Sequence, residues 1–303
     1  MTARTILAIV WMALAPAFLL ALSPLLDGIA RRIRARLESR AGPPWLQGYV
    51  DLSKLVGKRE VSSATGPLAS LAPPLALVAA VTAGMLLPVG GVAPLGFAGD
   101  GLVLLYLLAL SSVAMALAGS ASGSPFGFLG ASRELLLLLW VEPVVACALF
   151  VLGLKAGSFR LAEMAAWQAA QGPDVSGVLT ALGLLAALLG TLGRLPFDLP
   201  EAEQELMGGV TLEFGGRRLA LLRWTQFVRW WVVTWLVAEV FLPTRLPLAL
   251  AVPAAVAKAG LLFGLAAAAS ALVARLRVDH TRALLTQVGL LMGFAVVFAL
   301  IGA

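Results

Sequence analysis

Long apolar stretches and short polar segments alternate along the whole chain. There are eight apolar stretches, at 5–26, 68–89, 102–118, 135–154, 178–192, 227–242, 248–272 and 284–301. A helix of about 20 residues, rising 1.5 Å per residue, crosses the roughly 30 Å hydrocarbon layer of a bilayer, so each stretch predicts a transmembrane helix. The stretch at 178–192 is the shortest, about 22 Å long. Pro73 and Pro74 predict a bend in the second. Backbone polar groups in lipid must be satisfied internally. The expectation is an all-α integral membrane protein of about eight transmembrane helices, a single polytopic domain over 1–303.

Two polar segments carry patterns of their own. In PWLQGYVDLSKLVGKREV, residues 44–61, Trp45, Tyr49, Leu52, Leu55 and Val56 recur at helical spacing. Asp51, Lys54 and Lys58 lie elsewhere on the wheel, which predicts an amphipathic helix in the membrane interface. An acidic loop spans about 193–222 and opens GRLPFDLPEAEQELMGGVTLE. It holds Asp198, Glu201, Glu203, Glu205 and Glu213, five of the sixteen carboxylates. Asp198 three residues before Glu201, with Pro200 between, predicts a capped short helix beginning near Leu199. Such a helix would set Glu201 and Glu205 one turn apart and turn Glu203 away. The loop is then either a solvated surface helix or an acidic docking face. The linker at 119–134, GSASGSPFGFLGASRE, reads as small and flexible, and a short surface helix is expected around 162–170.

Composition sharpens this picture. At 60% hydrophobic and 13% charged residues, with a mean hydropathy of +0.96, the chain is no ordinary soluble domain. A single Cys147 and a single His280 exclude a disulfide framework, a cysteine-held cluster and the usual zinc and haem ligand sets, so no metal or cofactor site is expected within this chain. An isoelectric point of 10.2 would suggest nucleic acid in a soluble protein. Here the basic residues flank the spans, and topology is the better account. With the first loop inside, seventeen of the 22 Lys and Arg fall on one side: eight in the first loop, Arg133, five around the central loop and three before the last span. The positive-inside rule then places both termini outside and the acidic loop in the cytoplasm. The large basic cluster from Arg31 to Arg40 follows the first apolar stretch, whereas a signal peptide carries its charge ahead of the core. An uncleaved first helix is expected.

Three charged residues fall inside spans: Glu142, Lys258 and Glu239. A charge in hydrocarbon costs at least ~2.5 kcal/mol, so each should face protein or a water-filled cavity. Removal from water moves such groups toward neutrality, where they can exchange protons. For Glu142 the competing reading is a packing carboxyl held by a neighbouring hydroxyl. For Lys258 it is a structural partner to a carboxylate, and for Glu239, near the end of its helix, it is snorkelling to the interface.

Taken together, GRLPFDLPEAEQEL and the later TLEFGG resemble the loop of the complex I membrane subunit that forms the quinone chamber. The blocks RARLESRAGPPWLQGYVDLSKLVGKREV, GSPFGFLGASRE with VEP, and ARLRVDHTR are more similar to the homologous subunit of membrane-bound group 4 [NiFe]-hydrogenases of the formate hydrogenlyase type. The resemblance runs from the first helix to the last. It implies a bacterial or archaeal cell (inner) membrane subunit that docks hydrogenase large and small subunits onto antiporter-like membrane subunits, with the iron–sulfur clusters and NiFe centre in those partners. It implies proton-transfer roles for Glu142, Lys258, Asp198, Glu201, Glu203, Glu205 and Glu213; Glu239 matches no glutamate of the family and is a proton-transfer candidate only as a relocated carboxylate. Asp51, Lys54, Arg133, Arg194, Arg217 and Asp279 are the docking candidates. Where relatives usually carry a glutamate three residues before the loop's basic residue, this chain has Thr191 before Arg194, and Phe214 stands where many have Tyr. The alternatives are a complex I quinone-chamber subunit and a purely structural anchor.

Overall fold

The computed structural model describes residues 3–60, 66–89, 93–172, 174–201, 203–241, 243, 246 and 248–302, and the side chains of these except 3–11, 203–204 and 248–249. Its helices are α1 (Ala3–Leu37), α2 (Gln47–Gly57), α3 (Pro67–Met85), α4 (Asp100–Ser120), α5 (Pro125–Ala156), α6 (Leu161–Gln171), α7 (Val175–Leu192), α8 (Glu203–Leu206), α9 (Gly216–Phe241), α10 (Leu248–Leu272) and α11 (Val278–Ile301). Seven of them, α1, α3, α4, α5, α7, α10 and α11, are long and apolar enough to cross a membrane. The eighth expected span, α9, is long enough at about 39 Å but is diluted by tryptophans and by Arg229 and Glu239.

Its surroundings explain that composition. Every residue of α9 from Phe227 to Val240 is buried. The helix packs against α1, α2, α3, α7 and α10, so its polar groups meet protein instead of lipid. Close approach elsewhere rests on small residues, as expected where lipid is as apolar as leucine. The buried stripe of α3 is Ala69, Ala72, Ala76, Ala79, Ala80 and Ala83, and α4 lies along it with the Ser111 hydroxyl donating to the Ala76 carbonyl at 2.9 Å. The short fifth span is lengthened to 18 residues, with the Asp174 side chain capping it by accepting from the Gly177 amide at 2.8 Å.

Two expectations need correction. Residues 125–134 are the first turns of α5 and not a flexible linker. Their glycines are packing surfaces: a Cβ on Gly130 would lie 2.7 Å from the Val210 nitrogen and 2.8 Å from the Gly209 Cα. Gly130→Ala is therefore expected to push the central loop off α5 and to destabilise the fold by about 1–3 kcal/mol, seen as faster proteolysis within 194–213. Unchanged proteolysis would mean that the loop is held from elsewhere. The amphipathic segment forms α2 as expected, but its apolar face is divided. Leu52 is buried and Leu55 packs on the core, whereas Trp45, Leu46, Val50 and Val56 are exposed. Gly48 lets α2 sit directly on α1, with a virtual Cβ 2.4 Å from the Pro24 carbonyl oxygen.

Candidate functional site

The central loop leaves α7 through Gly193, a left-handed cap at φ 57°, and turns Arg194 inward. Its helix is shorter than the capping pattern predicts: α8 begins at Glu203, and Glu201 lies outside it. The Gly208 amide donates to the Glu201 carbonyl at 3.1 Å and closes the segment as a compact turn. Glu201 and Glu205 consequently do not share one face. Glu201 pairs with Arg223 of α9 at 3.5 Å, and the exposed Glu205 pairs with Arg133 at 2.7 Å and Arg275 at 3.6 Å. The hydrogen bond from Arg133, reinforced by Arg275, holds the Glu205 carboxyl below the usual carboxylate range. The Leu276 amide also donates to the Pro196 carbonyl at 3.1 Å. The loop is thereby tied to α5, α9 and the α10–α11 connection. Asp198 and Glu213 are half-buried, with interaction partners of their own, and the Glu203 side chain lies outside the described residues.

Beneath the loop, α4, α5, α7 and α9 enclose a cavity of about 70 Å³. One face of α5 lines it with Glu134, Leu137, Leu138, Val141, Glu142 and Val145. These residues recur every three or four positions, as one side of a helix must. Glu142 is half-buried on this wall. Across from it, Thr191 of α7 lines the same cavity, its hydroxyl donating to the Ala187 carbonyl at 2.8 Å. Nearer the loop, Arg229 of α9 reaches Glu134 at 2.9 Å and donates to the Ser112 hydroxyl of α4 at 2.5 Å. Both partners of that ion pair are nearly sealed, with side-chain exposures of 10% and 12%. Among the described residues, the charged groups lining the cavity are Glu134, Glu142, Glu201 and Arg229.

Glu239 and Lys258 lie on the far side of α9, and the structure brings them together at 2.8 Å. The Glu239 side chain is only 4% exposed, which overturns snorkelling: its charge is met by the α10 lysine. Arg194 is also a correction. As a docking candidate it should face outward, yet it lies over the Trp230 ring at 4.2 Å and pairs with Asp27 at 3.3 Å. Burial pushes its guanidinium down to about 10, against the pull of the Asp27 carboxylate, so it stays charged at neutral pH. Asp51 bonds to Arg31 at 2.9 Å and to Gln47 at 2.7 Å, and Arg133 is engaged by Glu205. Lys54, Arg217 and Asp279 are exposed.

Asp27, Glu134 and Arg229 are functional positions to which the sequence pattern assigns no role. Asp27 pairs with Arg31 at 2.7 Å, a spacing of four residues that a helical wheel shows. Arg229 was counted among the loop-side basic residues although it stands inside an apolar run; its burial follows from α9 being central.

Comparisons with known proteins agree with this architecture. A family model described as NADH dehydrogenase matches residues 8–301. The chain is 42% identical over 230 residues to hydrogenase-4 component C of Escherichia coli, covering 74% of this chain and 72% of that protein. To formate hydrogenlyase subunit 4 of the same organism it is 38% identical over 231 residues, covering 74% and 75%. To NADH-quinone oxidoreductase subunit 8 of Thermus thermophilus it is 34% identical over 232 residues, covering 71% of this chain and 63% of that one. A chain in the structure of the membrane-bound sulfane sulfur reductase, an archaeal respiratory membrane complex, superposes with a TM-score of 0.90 over 96% of this chain and 99% of that chain, at 24% identity, a likeness of fold alone. A family match over nearly the whole length, on a bundle built of membrane-spanning helices around a charged cavity, bears out the resemblance read from the motifs: the chain belongs to the NADH dehydrogenase family of membrane proteins.

Proposed function

We propose that this chain is the membrane-anchoring core subunit of a group 4 [NiFe]-hydrogenase complex of the formate hydrogenlyase type, which docks the soluble hydrogenase arm and carries part of a proton path. The observation that carries this reading is the cavity with Glu142 on its wall, roofed by a charged loop tied to three neighbouring elements. A roof held by intrachain ion pairs presents its remaining charges to a partner. Lys54, Arg217 and Asp279 are exposed for that purpose. The arm supplies the NiFe centre and iron–sulfur clusters, and antiporter-like subunits lie beside the bundle in the membrane. The loop faces the cytoplasm and both termini face outward, because the basic residues gather at the loop end. Asp198, Glu201, Glu203, Glu205 and Glu213 form the entry to the path, Glu142 continues it, and Lys258 with Glu239 is a buried ion pair beside it.

Docking is tested by reversing charges that the loop does not need for its own structure. Like charges set against each other across an interface cost several kcal/mol. Lys54→Glu with Arg217→Glu is therefore expected to reduce recovery of the hydrogenase arm with washed membranes by about tenfold or more, while this chain stays inserted. Recovery at the wild-type level would remove this face from the docking surface. A complex I quinone-chamber role is favoured by the apolar walls of the cavity and by similarity to NADH-quinone oxidoreductase subunits. Turnover that depends on added quinone would select it over the hydrogenase reading.

A further inference from the structure

The cavity has a second internal carboxylate, Glu134, which ends the GSPFGFLGASRE block and to which the sequence pattern assigned no role. Glu134 stands eight residues before Glu142 on the same wall, about 12 Å away along the axis of α5. Across from Glu142 the opposite wall offers Thr191, whose hydroxyl is bonded back to its own helix and cannot store a proton. Arg229 holds Glu134 at 2.9 Å and Ser112 at 2.5 Å, and its Nε, in a side chain nine-tenths buried on the cavity wall, makes no hydrogen bond within the protein. The 70 Å³ space that Glu134, Glu142 and Arg229 line admits several water molecules.

We propose that Glu134, positioned by Arg229, is the loop-side proton carrier of this cavity and passes protons through water to Glu142, bypassing Thr191. The step balances simply. The Glu134 carboxylate takes a proton from the roof side, adjacent to Glu201, and becomes a neutral acid that loosens from Arg229. It gives the proton to cavity water, which delivers one to the Glu142 carboxylate. Glu134 returns to its ionised form and its pair with Arg229 re-forms. Arg229 is a positioning residue: its guanidinium holds the Glu134 carboxylate at 2.9 Å on the cavity wall, and the pair re-forms after each transfer onward.

This inference rests on the reading of Glu142 as part of the proton path, and the test separates the two. Glu134→Gln, Glu134→Asp and Glu142→Gln are compared in membrane vesicles holding the whole complex, reading hydrogenase turnover, protons translocated per turnover and the carboxyl bands in infrared difference spectra. The expected result is that Glu134→Gln loses translocation and one carboxyl band, while Glu134→Asp retains both. Wild-type translocation in Glu134→Gln together with its loss in Glu142→Gln would overturn the role of Glu134 and leave the path intact. Wild-type translocation in both variants would overturn the path itself. Because Glu134→Gln leaves Arg229 unpaired, the double variant Glu134→Gln, Arg229→Gln removes both charges; an assembled double variant that still translocates at the wild-type level equally overturns the proposal.

Discussion

Replacing Glu142 by glutamine is expected to lower proton translocation by about a hundredfold, the scale on which a positioned acid–base group acts, whereas aspartate retains most of it. The carboxyl stands half-buried on a cavity wall formed by α4, α5, α7 and α9, below the level of the roof. A charge facing lipid there would cost at least ~2.5 kcal/mol, and its placement toward the cavity avoids that cost. Gln reproduces the shape and hydrogen bonding of the acid but cannot exchange a proton, and Asp exchanges one from a slightly shorter arm. The measurement is translocation per turnover in sealed vesicles, with assembly checked by co-isolation of the complex. Equal performance of Glu142→Gln and wild type would leave Glu142 as a packing carboxyl and this chain as an anchor.

The largest expected loss of stability comes from Arg229→Ala. Arg229 joins three helices through Glu134 of α5, Ser112 of α4 and the Met115 sulfur at 3.3 Å. Removing one partner of a sealed ion pair leaves an uncompensated buried charge and costs about 3–5 kcal/mol, whereas removing both is often close to neutral. Arg229→Ala is accordingly expected to unfold at markedly lower denaturant, and the added change Glu134→Gln to recover most of the loss. The check is a double-mutant cycle on denaturation in detergent. A small cost for Arg229→Ala, with additive behaviour in the double variant, would show that the pair is solvated instead of sealed.

The sequence by itself determined the membrane class, the places of the spans and the family. Those follow from lengths, apolar runs and spaced motifs, which are local properties of the chain. Each of the eight apolar stretches falls on a long helix, and α10 matches the expected 248–272 in full. The motif GRLPFDLPEAEQEL likewise located the roof, and the charge in the fourth stretch located Glu142. Other features were settled by which surfaces meet. That α9 is the central helix, although it is the least apolar of the long ones, depends on the neighbours that wrap it, and burial from lipid is what permits its arginine and glutamate. That 125–134 is helix depends on glycines accepting the backbone of a loop almost eighty residues away. Glu239 looked like a solitary charge near a helix end until α10 placed Lys258 beside it, and Arg194 looked like a surface cation until Asp27 and Trp230 enclosed it. An ion pair between helices is a relation between two distant points of the chain, and periodicity along one helix carries no information about its partner. Tertiary structure alone therefore decided that Glu134, Glu142, Thr191 and Arg229 share one cavity, because four separate helices had to pack before any of them had a common space to face.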